Sequence, residues 1–116
     1  MLYTEILKDS GVFSRLYKNG CRASGCGCAA YYLPNRRPYN RFGITAGKKV
    51  GCAVKRNRAK RIIRAAYRKN ELLLPIGYDI VIVARQELCK MKSTELDGFM
   101  KKLSKEMNRN REKASH

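Results

Sequence analysis

The chain has 116 residues, of which 26 are Lys or Arg and 9 are Asp or Glu, giving a formal net charge of +17. One domain fits that length, and so strong a positive charge demands a polyanionic partner, nucleic acid before a membrane surface. No stretch approaches the roughly 18 apolar residues of a membrane span, and Met1-Leu2-Tyr3-Thr4-Glu5 lacks the basic and apolar regions of a signal peptide, so a cytoplasmic protein with no membrane partner is expected.

Asp9 or Ser10 is suited to cap a short helix that carries Val12, Phe13, Leu16 and Tyr17 on one side and stops at Asn19-Gly20. The segment from Cys21 to Leu33 is interrupted by Gly25 and Gly27, and its second half, Cys28 to Leu33, reads as a strand. After the turn residues Pro34-Asn35-Arg36-Arg37-Pro38, the stretch Arg41 to Ala46 alternates Phe42 and Ile44 against Arg41 and Thr45, so a hairpin with the preceding strand is expected. Five cysteines occur, Cys21, Cys26, Cys28, Cys52 and Cys89, an odd number without framework spacing that reads as reduced thiols. Structural zinc favours closer Cys pairs and a fourth ligand, and the one histidine, His116, is the last residue, so no metal site is expected.

Between Lys48 and Lys69 stand ten Lys or Arg residues and no acid. Wound as a helix, this run puts Ala59, Ile62, Ile63, Ala66 and Tyr67 on one face and Asn57, Lys60, Arg61, Arg64 and Arg68 on the other. A merely solvated face would interleave Glu with Lys four residues apart, whereas here like charges repel at that spacing. The apolar face is for packing and the cationic face for binding phosphate. Pro75 and Gly77 break the chain before Tyr78 to Arg85, whose β-branched run Ile80-Val81-Ile82-Val83-Ala84 predicts a central strand buried on both faces. Thr94-x-x-Asp97 has the form of a capping box, and Leu96, Phe99, Met100, Leu103 and Met107 recur at helical spacing, predicting a last helix over about 93–108. The expected architecture is α+β in the order α-β-β-β-α-β-α, one domain over residues 1–116 with a core of about 7–108 and a flexible basic tail over 109–116. A helical crossover between parallel strands is right-handed by default.

The residues Arg56-Asn57-Arg58, Lys60-Arg61, Arg64 and Tyr67-Arg68 resemble the arginine-rich signature of the bacterial ribonuclease P protein family. The resemblance extends to Phe13-x3-Tyr17-Lys18-x-Gly20 and to the strand from Tyr78-Asp79 to Ala84-Arg85, and covers roughly residues 7–105. It implies a sandwich resembling a ribosomal-protein domain, with the basic helix as a left-handed crossover, against the default hand. It further implies the protein subunit of an endoribonuclease that removes the 5′ leader of precursor tRNA, with metal-assisted hydrolysis carried out by the RNA subunit and its Mg2+, no cofactor on the protein and no obligate protein partner. By position Lys49, Arg56, Asn57, Arg58, Lys60, Arg61, Arg64 and Arg68 match residues that hold the RNA subunit, and Phe13, Tyr17 and Tyr31 match aromatics of a cleft for the leader. Departures from the family pattern are Cys52 for Asn, Ala59 for a larger aliphatic, Tyr67 for Phe and Cys28 for a larger apolar residue; none removes a charge.

Arg and Lys neutralise phosphates, and exposed aromatics stack unpaired bases. Without the resemblance Phe13, Tyr17 and Tyr31 read as core, Tyr32 competes with Tyr31 for the cleft, and Asn57 fits a helix end as well as an RNA contact. A protein-only nuclease would need clustered carboxylates or a histidine, and the acids here are scattered. The alternative to the ribonuclease P subunit is a ribosomal or other structural RNA-binding protein, which would share charge, size and fold; a duplex-DNA reader lacks helix-turn-helix spacing.

Overall fold

The computed structural model describes residues 4–25 and 27–114. Its centre is the strand β5 of Tyr78–Ala84, the apolar run that the sequence marks as doubly buried, paired in parallel with Asn40–Thr45 on one side and antiparallel with Cys28–Pro34 on the other. In chain order the elements are β1 (Thr4–Ile6), α1 (Ser10–Asn19), β2 (Cys21–Gly25), β3 (Cys28–Pro34), β4 (Asn40–Thr45), α2 (Ala53–Asn70), β5 and α3 (Asp97–Ala114). The sheet runs β1-β4-β5-β3-β2.

Three expectations need correction. The strands β3 and β4 do not form a hairpin, because β5 lies between them and pairs with both. A strand whose two faces and two edges are all inside the protein buries more apolar surface and satisfies more backbone groups than a β3–β4 ladder would. The hairpin is instead β2–β3, with Gly25 opposite Cys28, and Asn35 ties the β3–β4 connection across β5 through its backbone amide, which donates to the Gly77 carbonyl at 2.8 Å. Second, a short edge strand, β1, pairs in parallel with β4, where the sequence pattern gives no strand signal. Its Thr4 hydroxyl bonds the Tyr67 hydroxyl at 2.8 Å and donates to the Glu71 carboxylate, long-range partners that no local pattern reveals. Third, there is no capping box at Thr94: Ser93–Leu96 is a 3-10 turn, and α3 begins at Asp97 and continues past residue 108 to Ala114. The Asp97 carboxylate reaches α2 instead, accepting from Lys69 Nζ at 2.8 Å and Asn70 Nδ2 at 3.0 Å.

Strand alternation sorts the sheet's side chains to two faces. Ala30, Tyr32, Phe42, Ile80 and Ile82 face α2 and α3, which supply Ala59, Ile63, Ala66, Tyr67, Met100, Leu103 and Met107 to the main core. Tyr67 stacks on Phe42 with ring centroids 3.9 Å apart and planes 11° apart, and burial pushes its phenol up to about 12, so it stays neutral. Ala59 is fully buried, so its small size is part of the packing. The opposite face carries Val81, Tyr31 and Leu33 against Leu7, Val12, Phe13 and Leu16, the last four from α1 and the segment before it. Asp9 caps α1, its side chain accepting from the Gly11 amide at 2.8 Å.

Two polar groups fix the ends of this frame. Asn40, buried at the start of β4, accepts from the amides of Gly77 and Tyr78 at 2.8 and 2.9 Å and donates to the Pro75 carbonyl. Gly77 there has φ of 100°, a left-handed backbone that favours glycine. Asp79, whose side chain is 1% exposed, accepts both Arg41 bonds at 2.7 Å and one from Asn35 at 3.0 Å, with Arg15 of α1 3.7 Å away. Burial raises the Asp79 carboxyl pKa, but the bonds from Arg41 and Asn35 and the charges of Arg41 and Arg15 outweigh it and hold the group below the usual carboxylate value. A carboxyl depressed in the folded state contributes stability above its unfolded pKa and loses it as pH falls through the folded one. Asp79→Asn should therefore cost about 3 kcal/mol at neutral pH, and the gap to the parent should close as pH drops below about 4. Urea unfolding across pH measures this; a gap independent of pH would show that the Asp79 charge contributes nothing.

Candidate nucleic-acid interface

The helix α2 separates as its periodicity requires. Ala59, Ile63, Ala66 and Tyr67 are buried, while Asn57, Arg58, Arg61, Arg64 and Arg68 are exposed and Lys60 is half-buried. Lys49 is exposed in the 3-10 turn Lys48–Val50 that leads into α2. Arg56 differs from its neighbours: it is half-buried, and its Nε is buried without a hydrogen-bond partner among the described residues. A cationic donor left in that position has a standing demand for an anion or a polar acceptor. Cys52 is the N-cap residue and makes no side-chain capping bond, yet the neighbouring Lys55 amide draws its exposed thiol pKa below the ordinary value, and the Lys55 charge adds to this. Helix ends of this polarity favour negative charge. A groove alongside α2 is lined by Val54, Asn57, Lys60, Arg61 and Arg64, and a second brings Lys60 and Arg64 against Ile6, Leu7, Phe42, Gly43 and Ile44 at the β1–β4 edge.

On the other side of the sheet, α1 and β3 bring Phe13, Tyr17 and Tyr31 together. Tyr17 and Tyr31 meet edge to face with centroids 5.1 Å apart, and Tyr17 is 43% exposed with its hydroxyl 3.0 Å from Thr45 Oγ1 on β4. Phe13 lies over Gly43 so closely that a Cβ there would stand 2.5 Å from its ring. The absence of a side chain at Gly43 thus creates the seat for Phe13. Tyr31 and Tyr32 point to opposite faces: Tyr31 is half-buried on the α1 side, and Tyr32 is buried on the helix-layer side, where Asn110 donates to its hydroxyl at 2.7 Å. Only Tyr31 can join the cleft. Two further side chains belong to it that the sequence pattern does not single out. Arg22 Nε donates to the Tyr31 hydroxyl at 3.2 Å with its guanidinium 5.9 Å from the ring centre, and Thr45 positions Tyr17. The register that sets Arg22 opposite Tyr31 is visible only once β2 and β3 are known to pair.

Among the described residues no three His, Cys, Asp or Glu side chains cluster so as to hold a metal ion. Cys21 is exposed at the start of β2, Cys28 is buried at the start of β3, and the antiparallel register puts them at opposite ends of that pair. Cys26 and His116 lie outside the described residues. Among the described residues no helix is long and apolar enough to cross a membrane.

The fold that carries this cationic helix and aromatic cleft is shared with known proteins. The Ribonuclease P family profile matches residues 1–108. The chain belongs to the ribonuclease P protein family. It is 39% identical over 104 residues to the ribonuclease P protein component of Clostridioides difficile, an alignment covering 88% of this chain and 90% of that one. With the component from Pelotomaculum thermopropionicum the identity is 32% over 111 residues, covering 96% and 99%. Among solved structures, the RNase P protein from Thermotoga maritima superposes with a TM-score of 0.73 at 28% identity, covering 90% of this chain and 96% of that one, and the Staphylococcus aureus protein with 0.69 at 27%, covering 90% and 92%. Ribonuclease P acts in tRNA processing as a ribonucleoprotein, and membership in this family displaces the reading as a ribosomal or other structural RNA-binding protein.

Phosphate-like anions should bind the cationic face in the free protein and stabilise its folded state. At equal ionic strength, sulfate should raise the melting temperature well beyond the rise given by chloride, and Arg61→Gln with Arg64→Gln should shrink the difference. Equal action of the two salts on the parent would leave general screening as the whole effect.

Proposed function

We propose that this chain is the RNA-binding accessory subunit of a cytoplasmic ribonuclease P, in which the cationic face of α2 holds the catalytic RNA subunit and the Phe13–Tyr17–Tyr31 cleft holds the 5′ leader of precursor tRNA. The observation that carries the reading is the meeting of two chemistries at β4. Gly43 seats Phe13 on one side and borders the Lys60 and Arg64 groove on the other. A strand stacked on the aromatics and an RNA neutralised by α2 would then be held within one small domain, close enough for one to be presented to the other.

Each half suits its ligand. The leader is an unpaired strand of variable sequence, and stacking on aromatic faces tolerates any base. Arg22 beside Tyr31 supplies a cation for the leader backbone at the cleft's rim. The α2 cations make phosphate contacts, which position an RNA without reading its sequence. Phe13→Ala or Tyr17→Ala should weaken binding of precursor tRNA to the assembled enzyme by about 1–3 kcal/mol and leave mature tRNA almost unaffected, once circular dichroism has shown the variants folded. Equal losses for the two RNAs would return these rings to a purely packing role.

The placement of three acids supports this division of labour. Asp79 is held by Arg41, Asn35 and Arg15, Asp97 by Lys69 and Asn70, and Glu71 lies under Thr4 beside Tyr67, so these carboxylates already serve the fold. Metal-assisted hydrolysis is accordingly assigned to the RNA subunit and its Mg2+. The protein's contribution is binding energy and charge: it lowers repulsion between two RNAs and holds the leader so that the scissile phosphate is delivered in place. High magnesium should partly substitute for it. Precursor cleavage measured with protein alone, RNA alone and both, across a magnesium series, should show activity in every arm containing the RNA and the protein's advantage shrinking as magnesium rises. Metal-dependent cleavage by nuclease-free protein alone, lost in Asp79→Asn or Asp97→Asn, would move catalysis onto the polypeptide.

A further inference from the structure

The helix α3 carries a second cationic face that neither the signature nor the cleft uses. Its inner side, Phe99, Met100, Leu103 and Met107, is buried in the main core. Lys101, Lys105 and Arg109 project from the outer side, all exposed, at successive four-residue intervals. That spacing aligns them in a stripe with a rise of about 6 Å between neighbours, a geometry in which like charges destabilise a free helix. Gly98, at the head of the same stripe, would have nothing within 4 Å of an added Cβ, so the approach from outside is open.

The nearby acids offset the stripe only in part, since Glu106 borders the same groove as Lys101, Lys105 and Arg109, and the charge of Lys101 bears on Asp97. Asp97 is turned to Lys69 and Asn70 of α2, and Glu106 is half-buried toward Tyr32, whose raised pKa, owed first to burial and then to Cys21 and Glu106, reflects that proximity. Among the described residues Lys101, Lys105 and Arg109 form no ion pair. Lys102, one position round, leans to the Ser24 carbonyl at 3.4 Å and leaves the stripe to the other three.

We infer that the outer face of α3 is a second docking surface for the RNA subunit, contacting a backbone segment other than the one held by α2. Charge complementarity selects a phosphate backbone, and cations about 6 Å apart can follow a strand whose charges rise about 3.4 Å each. Position selects the RNA subunit over the precursor. The helices α2 and α3 lie side by side on one face of the sheet, clasped through Asp97, whereas the leader cleft is on the opposite face. A large folded RNA resting on α2 therefore reaches α3 without crossing the sheet. The inference rests on the proposed RNA-binding role of α2.

The test is a triple variant, Lys101→Gln, Lys105→Gln and Arg109→Gln, beside a control triple in α2, Arg61→Gln, Arg64→Gln and Arg68→Gln, with full chains checked for folding by circular dichroism. Affinity for the bare RNA subunit is measured from 50 to 200 mM salt, and precursor tRNA binding is measured on the assembled enzyme at saturating protein. Each phosphate neutralised by a cation steepens the log-affinity against log-salt slope by roughly 0.7–0.9, so removing three cations should leave the α3 variant less salt-sensitive, and the parent's affinity should fall about 20- to 40-fold more than the variant's across that range. An α3 variant with the parent's salt slope, when the α2 variant's is shallower, overturns the inference and leaves the α2 reading standing. Parent slopes in both variants overturn the α2 reading as well. A change confined to precursor binding assigns the stripe to tRNA and likewise overturns the inference.

Discussion

Nine Asp and Glu side chains stand against twenty-six Lys and Arg in this chain, and among the described residues Asp79, Asp97 and Glu71 are committed to seams between elements. Asp79 joins the sheet to Arg41 and leans toward Arg15 of α1. Asp97 clasps α2 to α3, and Glu71 meets Thr4 of the edge strand. Burying or half-burying an acid in a strongly cationic protein removes it from the surface, so each seam also leaves neighbouring cations without a counter-charge. The cationic faces follow from this allocation. Where an acid is absorbed into a seam, the stripe beyond it, on α2 or on α3, keeps its positive charge.

Two-fold alternation along the strands then divides the molecule into two working sides. Ile80 and Ile82 face the helix layer and Val81 faces α1, so one apolar run serves two cores. The helix-layer side is dominated by α2 and α3, with outward faces that are cationic. The α1 side is thinner, and its coverage is incomplete, because α1 is a ten-residue helix. What remains open there is the aromatic cleft with its rim residue Arg22. The two sides differ in chemistry: one presents exposed cations, the other aromatic ring faces.

Gly43 and the edge strand β1 are what bring the sides together. A side chain at Gly43 would displace Phe13, and β1, only three residues long, ends where Lys60 and Arg64 approach the sheet. The anchoring of β1 through Thr4 to Tyr67 and Glu71 means that the hydroxyl of Tyr67 is used to hold an edge strand. A hydroxyl so buried costs free energy unless it is bonded, and Thr4 supplies the bond.

Much of this was legible in the sequence because it depends on short-range periodicity. The amphipathic split of α2, the doubly buried β5 run and the Asp9-capped α1 each follow from a pattern within some twenty residues, where side-chain direction is set by local geometry. The arginine-rich signature made the cationic face readable for the same reason, since all of it lies on one helix. Tertiary structure decided the rest. Whether β3 pairs with β4 or admits β5 between them is a contest between ladders of similar local propensity, settled by how much of the Ile80–Ala84 run can be buried. The choice of Tyr31 over Tyr32 for the cleft is a matter of strand phase, fixed by β5 and not by either residue. Asp97 has the sequence neighbours of a helix cap and serves as a clasp, because Lys69 and Asn70 stand closer in space than any spacing rule records. Sequence determines which faces a segment will have; only the fold determines what each face meets, because the partners come from elements remote along the chain.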